Sequence, residues 1–315
     1  MTEGEIAIAK NRASARPAAG TQLSPLLPML RQAERDRYAL GSFSCRYGVP
    51  MIEAVLGAAQ HLRSPVIVQI SQRETVWFDI DLAAFGDEVR RTVAELGITV
   101  PVALHLDHSF DLDILRRAID AGFTSVMFDG SKHPLEQNIV ETAAAVALAH
   151  ASGVTLEGEI GKIGGADKLE TDDVDSTLSD PEEVRRFVEA TGVDYVAVSV
   201  GTAHGFYTSA DPRIDFERLE AIRAVTSIPL VLHGGSGLPE KTIHRAMRIA
   251  GGGISKVNIA TELEHALLQS LGEAERLAPD AIRTLDAGRT GTAVAAVQRL
   301  VEDKMRHYLL SAGRA

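Results

Sequence analysis

Hydrophobic and polar positions follow two rhythms that take turns along the chain. Short runs rich in β-branched residues fall at 39–44, 65–71, 102–108, 125–130, 154–161, 195–201, 229–235 and 254–261. Between them lie amphipathic stretches at helical period, such as 111–121, 182–190 and 216–224, several of them opened by Asp or Pro. Strands alternating with helices of this length predict a parallel sheet with right-handed crossovers. Eight units in succession predict an α/β fold closed into a (β/α)8 TIM barrel, with a doubly wound open sheet as the alternative. Runs such as PLVLHGG and VALHLDH are nearly continuously apolar, as strands buried on both faces should be.

Three segments stand outside the rhythm. Residues 1–20 are small, polar and weakly patterned, and predict a mobile arm ahead of a single barrel domain over 21–315. The acidic stretch 164–178 has no helical period and follows the fifth strand, so it is expected to be a lid over the barrel mouth. The tail over 290–310 reads as a final long helix.

Composition narrows the function. With 315 residues, 45% hydrophobic and 24% charged, the chain suits one α/β barrel. A net charge of −11 gives no support for a nucleic-acid or anionic-membrane partner, and leaves any phosphate to local backbone N–H groups. Cys45 is the single cysteine, so no intrachain disulfide forms and any zinc must be held by His and carboxylates. No apolar run reaches the roughly 18 residues of a membrane span, and the first twenty residues lack a signal-peptide core; a cytoplasmic location is expected.

In a TIM barrel the working residues sit at the C-terminal ends of the strands. Those ends give Ser71, Asp107 with His108, Asp129, Glu157 and Glu159, His204 with Gly205, His233 to Ser236, and Asn258 with Thr261. Three of the ten histidines thus converge on one rim. Three His ligands with an open fourth position suit a catalytic zinc, acting as a Lewis acid or generating hydroxide. Singly, each His is as well explained by a bond to nearby backbone; jointly, their placement favours ligands. His61, His105, His133 and His150 lack that placement and read as structural or exposed.

Asp107 and His108 are neighbours, and in a regular strand they face opposite ways, so both reach one site only where the strand ends and the chain turns. There Asp107 suits proton transfer; capping the helix that begins near Asp111 is the alternative. Glu159 suits a fourth metal ligand or a base at carbon, with an ion pair as the alternative. The glycine-rich turn after His233, leading into a helix near Pro239, suits phosphate binding through Gly205, Gly234 and Ser236. Lys256, within strand eight, suits an ion pair better than a Schiff base.

The segments HLDHS, SVMFDGS, LEGEIGKIGG, VSVGTAHGFY, LVLHGGSG and KVNIATEL occur in order across the strands. Together they resemble the class II (zinc-dependent) ketose-bisphosphate aldolases over about residues 24–310, most closely the branch of tagatose-bisphosphate and related aldolases. The resemblance implies zinc held by His108, His204 and His233, with Glu159 contacting metal or substrate. It implies phosphate loops at Gly205, Gly234 and Ser236 that also take a monovalent cation, Na+ or K+. Asn258 and Thr261 match residues gripping dihydroxyacetone phosphate, and Ser71 and Gly164 match further substrate contacts. Asp107 matches the group that takes the C4 hydroxyl proton, and cleavage at C3–C4 then releases an aldehyde. An acid on the 164–178 loop protonates C3 in the family; here that position is Asp167, of shorter reach. Family members are commonly dimers or tetramers, so a homo-oligomer is expected.

Two departures bear on the substrate. Ser44, in SFSCRY, stands where the family has Asn, and Val294 stands where the family has an Arg for the distal phosphate, with Arg289 the nearest substitute. A ketose 1-phosphate or sugar-acid phosphate is therefore an open alternative to a bisphosphate, and fructose 1,6-bisphosphate is expected to be a poor substrate. A zinc metallohydrolase on the same barrel leaves Asn258 and Thr261 unexplained, and a non-catalytic sugar-phosphate sensor has no need of Asp107.

Overall fold

A computed structural model describes residues 23–165, 177–205, 207 and 214–315. The arm at 1–20, most of the 164–178 loop and Asp167 lie outside the described residues.

Eight strands close into a barrel in sequence order, every neighbouring pair parallel. They are β1 (Leu40–Ser44), β2 (Val66–Ser71), β3 (Val102–Ser109), β4 (Ser125–Phe128), β5 (Thr155–Ile160), β6 (Tyr195–Val198), β7 (Leu230–Leu232) and β8 (Ile254–Ile259). The open-sheet alternative is excluded by the pairing of β1 with β8.

Helix α1 (Leu26–Asp36) precedes the barrel, and its buried Leu26, Met29, Leu30 and Ala33 recur at helical spacing. They pack against Leu40, Ile67, Ala103 and Val231, so α1 closes the bottom of the barrel. The remaining helices are α2 (Val49–Leu62), α3 (Gln72–Trp77), α4 (Leu82–Glu95), α5 (Leu112–Asp120), α6 (Leu135–His150), α7 (Pro181–Thr191), α8 (Phe216–Val225), α9 (Glu240–Met247), α10 (Thr261–Leu271), α11 (Pro279–Arg283) and α12 (Ala287–Asp303). Five of them start the same way. Asp81, Asp111, Asp180, Asp215 and Asp286 each cap a helix by accepting backbone N–H bonds. Asp111, not Asp107, therefore caps α5. The expected tail helix begins three residues earlier than 290, and its α-helical part stops at Asp303. The chain then continues as a single π-helical turn, Lys304–Tyr308.

The strands differ in one respect from their apolar appearance in sequence. Their outward faces join the helices in the main core, but their inward faces become polar toward the top. Stepping by two residues, Leu40 leads to Ser42 and Ser44, Ile67 to Gln69 and Ser71, Ala103 to His105 and Asp107, and Val231 to His233. An apolar floor thus supports a polar middle layer, and the middle layer supports a polar rim. Among the described residues no helix is long and apolar enough to cross a membrane.

Candidate metal centre and phosphate pocket

The rim histidines meet at one point. His108 Nε2 lies 3.2 Å from His204 Nε2 and 2.9 Å from His233 Nδ1. In a tetrahedral site with metal–nitrogen bonds of 2.0–2.1 Å, ligand nitrogens are about 3.3 Å apart, close to this spacing. The opposite nitrogen of two of these rings is held by a carboxylate. His108 Nδ1 donates to Asp129 Oδ2 (3.0 Å), and His233 Nε2 donates to Glu157 Oε1 (2.8 Å). When the rings are neutral, those bonds leave the lone pairs of His108 Nε2 and His233 Nδ1 facing the common point.

Glu159 completes the arrangement. Its Oε2 is buried with no hydrogen-bond partner, 3.8 Å from His108 Nδ1 and 3.9 Å from His233 Nδ1. A buried carboxylate oxygen left unpaired beside two of these imidazoles is a group a metal ion satisfies. A second potential donor set, His108 with Asp129 and Glu159, is less suited to an ion. There Asp129 Oδ1 already accepts from the backbone N–H and hydroxyl of Ser131.

The electrostatics agree with the geometry. Burial opposes a positive charge on His108, yet Asp107, Asp129 and Glu159 outweigh it and push its pKa up to about 10. Burial, then the charge on Asp129, raises Glu159 well above the carboxylate range. His233 is pushed the other way, first by burial and then by the charge on His108.

Asp107 and His108 reach this site by a route other than the expected one. The strand does not end at His108; β3 continues to Ser109, and its register against β4 shifts between Leu106 and Ser109. At the shift His108 takes a left-handed backbone, φ +32°, unusual for a residue with a Cβ. The bulge turns its ring inward beside Asp107 instead of outward. Asp107 itself is gripped by two amides, Gln69 Nε2 to Oδ2 and Asn258 Nδ2 to Oδ1, both at 3.0 Å.

Beneath the metal point lies a buried relay that the strand-end reading missed. Lys256 Nζ donates to Glu157 Oε2 at 2.7 Å, and His105 sits 3.3 Å from Lys256 and 3.5 Å from Glu157. Glu157 and Glu159 do not follow β5 but lie inside it, two residues apart on the inward face. Counting inward residues down each strand by twos, instead of stopping at its end, reveals Gln69, His105 and Lys256.

Gly205, Gly234, Ser236, Asn258 and Thr261 line one side of a single pocket above the histidines. Gly234 has φ +65°, and a Cβ there would collide with the Ala203 carbonyl. Two tyrosines hold the carbonyls of this turn: Tyr207 donates to Gly234 O at 2.7 Å, and Tyr308, on the π-helical turn, donates to Gly235 O. Ala260 N–H donates to Ser236 Oγ (3.4 Å), and α10 begins at Thr261, so a helix N-terminus also faces the pocket.

The other expected contacts fall less simply. Ser71 lines the pocket and also caps α3 in a reciprocal box with Glu74. Ser44 lies just behind the wall, its hydroxyl donating to Glu74 at 2.6 Å. Gly164 acts through its backbone, accepting the His204 N–H at 2.9 Å. Arg289 requires correction as a phosphate contact: it is in the first turn of α12, away from the pocket lining, exposed and paired with Glu273 at 2.9 Å. Capping by Asp286 starts α12 there and points that turn outward. The guanidinium groups that do line the pocket are those of Arg46 and Arg73, which the sequence reading passed over.

A profile of the family described as Fructose-bisphosphate aldolase class-II matches residues 24–314. The 6-phospho-5-dehydro-2-deoxy-D-gluconate aldolase of Shouchella clausii is 42% identical over 241 residues, 76% of this chain and 78% of that protein. The fructose-bisphosphate aldolase of Geobacillus stearothermophilus is 38% identical over 286 residues, 89% and 94% of the two chains. Among solved structures, the YdjI aldolase of Escherichia coli K12 superposes with a TM-score of 0.76 at 27% identity, covering 93% of this chain and all of that one.

Proposed function

The chain belongs to the class II fructose-bisphosphate aldolase family and is a lyase of the aldolase kind; from that premise we propose that it is zinc-dependent and reversibly cleaves a ketose phosphate to dihydroxyacetone phosphate and an aldehyde. The observation that carries the reading is the convergence of the His108, His204 and His233 nitrogens, with the unpaired, buried Glu159 oxygen near His108 and His233, in a pocket that Asp107 and the glycine-rich turns also line. His108, His204 and His233 would hold the zinc, with Glu159 near two of them, and the ion would supply Lewis-acid stabilisation of the negative charge that develops on cleavage.

The protein's own groups do the rest. The phosphate is held by backbone N–H groups around Gly205, Gly234 and Ser236 and by the N-terminus of α10, with Asn258 and Thr261 at the same end. Asp107 takes the proton of the C4 hydroxyl. The two amide donors aim its oxygens, as a base requires. Protonation of C3 is assigned to the 164–178 loop, with Asp167 its candidate acid. A monovalent cation, Na+ or K+, belongs with the phosphate loops, and a homo-oligomer, dimer or tetramer, is the expected assembly. Ser44 behind the wall and Arg289 facing away from the pocket make fructose 1,6-bisphosphate a poor substrate beside a ketose 1-phosphate.

One experiment tests the reading. Chelation should abolish release of dihydroxyacetone phosphate and zinc should restore it. Asp107→Ala should keep full zinc content yet lose about 10²–10⁴-fold in cleavage rate. Activity that survives complete metal removal, or an Asp107→Ala protein as fast as the parent, would refute it.

A further inference from the structure

The pocket wall beside the phosphate loops, from the end of β1 to α3, is charged, and Arg46 within it is balanced by neighbouring carboxylates. Arg46, just after β1, is 1% exposed and among the largest fully buried side chains. Its Nη2 lies 2.7 Å from Glu74 Oε1, its Nη1 2.9 Å from Glu264 Oε2, and its Nε 3.4 Å from Ser44 Oγ. Glu264 also takes Arg276 through Nε and Nη2, both at 2.7 Å, and the Tyr47 hydroxyl at 2.9 Å. Burial alone would raise the Glu264 pKa, but the Arg276 hydrogen bonds and the Arg46 charge outweigh it and hold the carboxyl low. Two arginines therefore face two carboxylates, and the cluster is neutral.

Such a wall discriminates by charge. Recognition of a phosphate dianion by arginine relies on the parallel N–H bonds of the guanidinium fork. Here both terminal nitrogens of Arg46 already serve carboxylates. Glu74 itself lines the pocket, with Asp107 and Asp129, so a second phosphate drawn toward Arg46 meets carboxylates, although Arg73, Lys132 and Lys162 also line the pocket. Drawing Arg46 toward that phosphate would leave a buried Glu74 without its cation, a costly exchange. A hydroxyl group adds no charge and both donates and accepts, so the same wall hydrogen-bonds it without rearrangement. The remaining cations of the lining, Arg73, Lys132 and Lys162, stand nearer solvent than Arg46: Arg73 lies over the Phe110 ring at 5.3 Å, Lys132 is exposed and Lys162 is half-buried.

Resting on the aldolase reading above, the geometry points to Arg46, Glu74 and Glu264 as the specificity wall for the aldehyde half, selecting a hydroxylated, unphosphorylated aldehyde over a phosphorylated one. Ser44, bonded to Glu74, is a positioning residue in that wall.

The test is condensation by the zinc-loaded full-length enzyme of dihydroxyacetone phosphate with glyceraldehyde or with glyceraldehyde 3-phosphate, reading kcat/KM for each. Glyceraldehyde should be preferred by about tenfold or more, since like-charge contacts at a desolvated surface are strongly unfavourable. Glu74→Gln and Glu264→Gln each release Arg46 from one carboxylate. Each should shift the ratio toward the phosphorylated aldehyde by about fivefold or more. The ratio is taken within one protein, so partial loss of folded or metal-loaded enzyme cancels. A parent enzyme that prefers glyceraldehyde 3-phosphate, or two variants with the parental ratio, overturns the inference and leaves the aldolase reading standing. No condensation with either aldehyde sinks both.

Discussion

The two sides of the pocket are built on different principles. The side proposed to hold metal and phosphate is made of strand-end histidines, glycine turns and a helix N-terminus, each held by a bond to a neighbouring part of the chain. The wall beside it is made of long charged side chains that follow β1, lie on α3 or extend from α10, and that hold one another. On the first side, identity follows from local chemistry: an imidazole with its far nitrogen bound to a carboxylate has one face left for a metal. On the second, no residue has a meaning alone, because Arg46 between two carboxylates is a different group from Arg46 free. A metal centre and a phosphate cradle do the same task for any ketose phosphate, whereas the charged wall must distinguish among aldehydes.

Three substitutions probe the contrast. Glu157→Gln, at the relay beneath the histidines, should weaken zinc binding by about 10–100-fold while the fold persists, measured by metal competition and by circular dichroism. If zinc affinity is unchanged, the relay does not orient His233 and the metal side is less tightly determined than its geometry implies. Tyr308→Phe removes the donor to the Gly235 carbonyl. Losing one such bond corresponds to about 1 kcal/mol, so KM for the phosphorylated substrate should rise about fivefold with kcat little altered. A fall in kcat alone would place Tyr308 with the chemistry and not with the phosphate turn. Arg289→Ala should leave the kinetics of mono- and bisphosphate substrates the same, because its guanidinium is engaged by Glu273 outside the pocket. A selective loss of bisphosphate turnover would return that arginine to the charged wall.

The same contrast explains what could be read from sequence. The barrel was legible because eight runs of buried strand and eight helical periods leave a closed parallel sheet as the simplest arrangement. The metal side was legible because His108, His204 and His233 fall at the ends of different strands, where a barrel gathers its rim. The bulge at His108 was not legible; only the need for Asp107 and His108 to share a site hinted at it, and the expected remedy, an early strand end, was the wrong one. Gln69 was hidden, and His105 and Lys256 read only as a structural histidine and an ion-pair partner, because they sit in strand interiors, where a polar residue reads as an exception and not as a layer. Arg46 was hidden for another reason. Its partners, Glu74 and Glu264, lie 28 and 218 residues away, and no local pattern joins them.

The polar middle layer of the barrel carries a consequence for anyone who would redesign this protein. Ser42, Gln69, His105, Glu157 and Lys256 occupy space that hydrocarbon side chains of matched volume fill without any charge to desolvate. A chain repacked there with leucine, valine and methionine should be the sturdier barrel, melting later and tolerating more change elsewhere. It would also lose the Glu157 bond that orients His233 and the Gln69 bond that helps to aim Asp107. Thermal robustness and turnover are thus set against each other in one layer of side chains, and selection for heat resistance alone should erode that layer first.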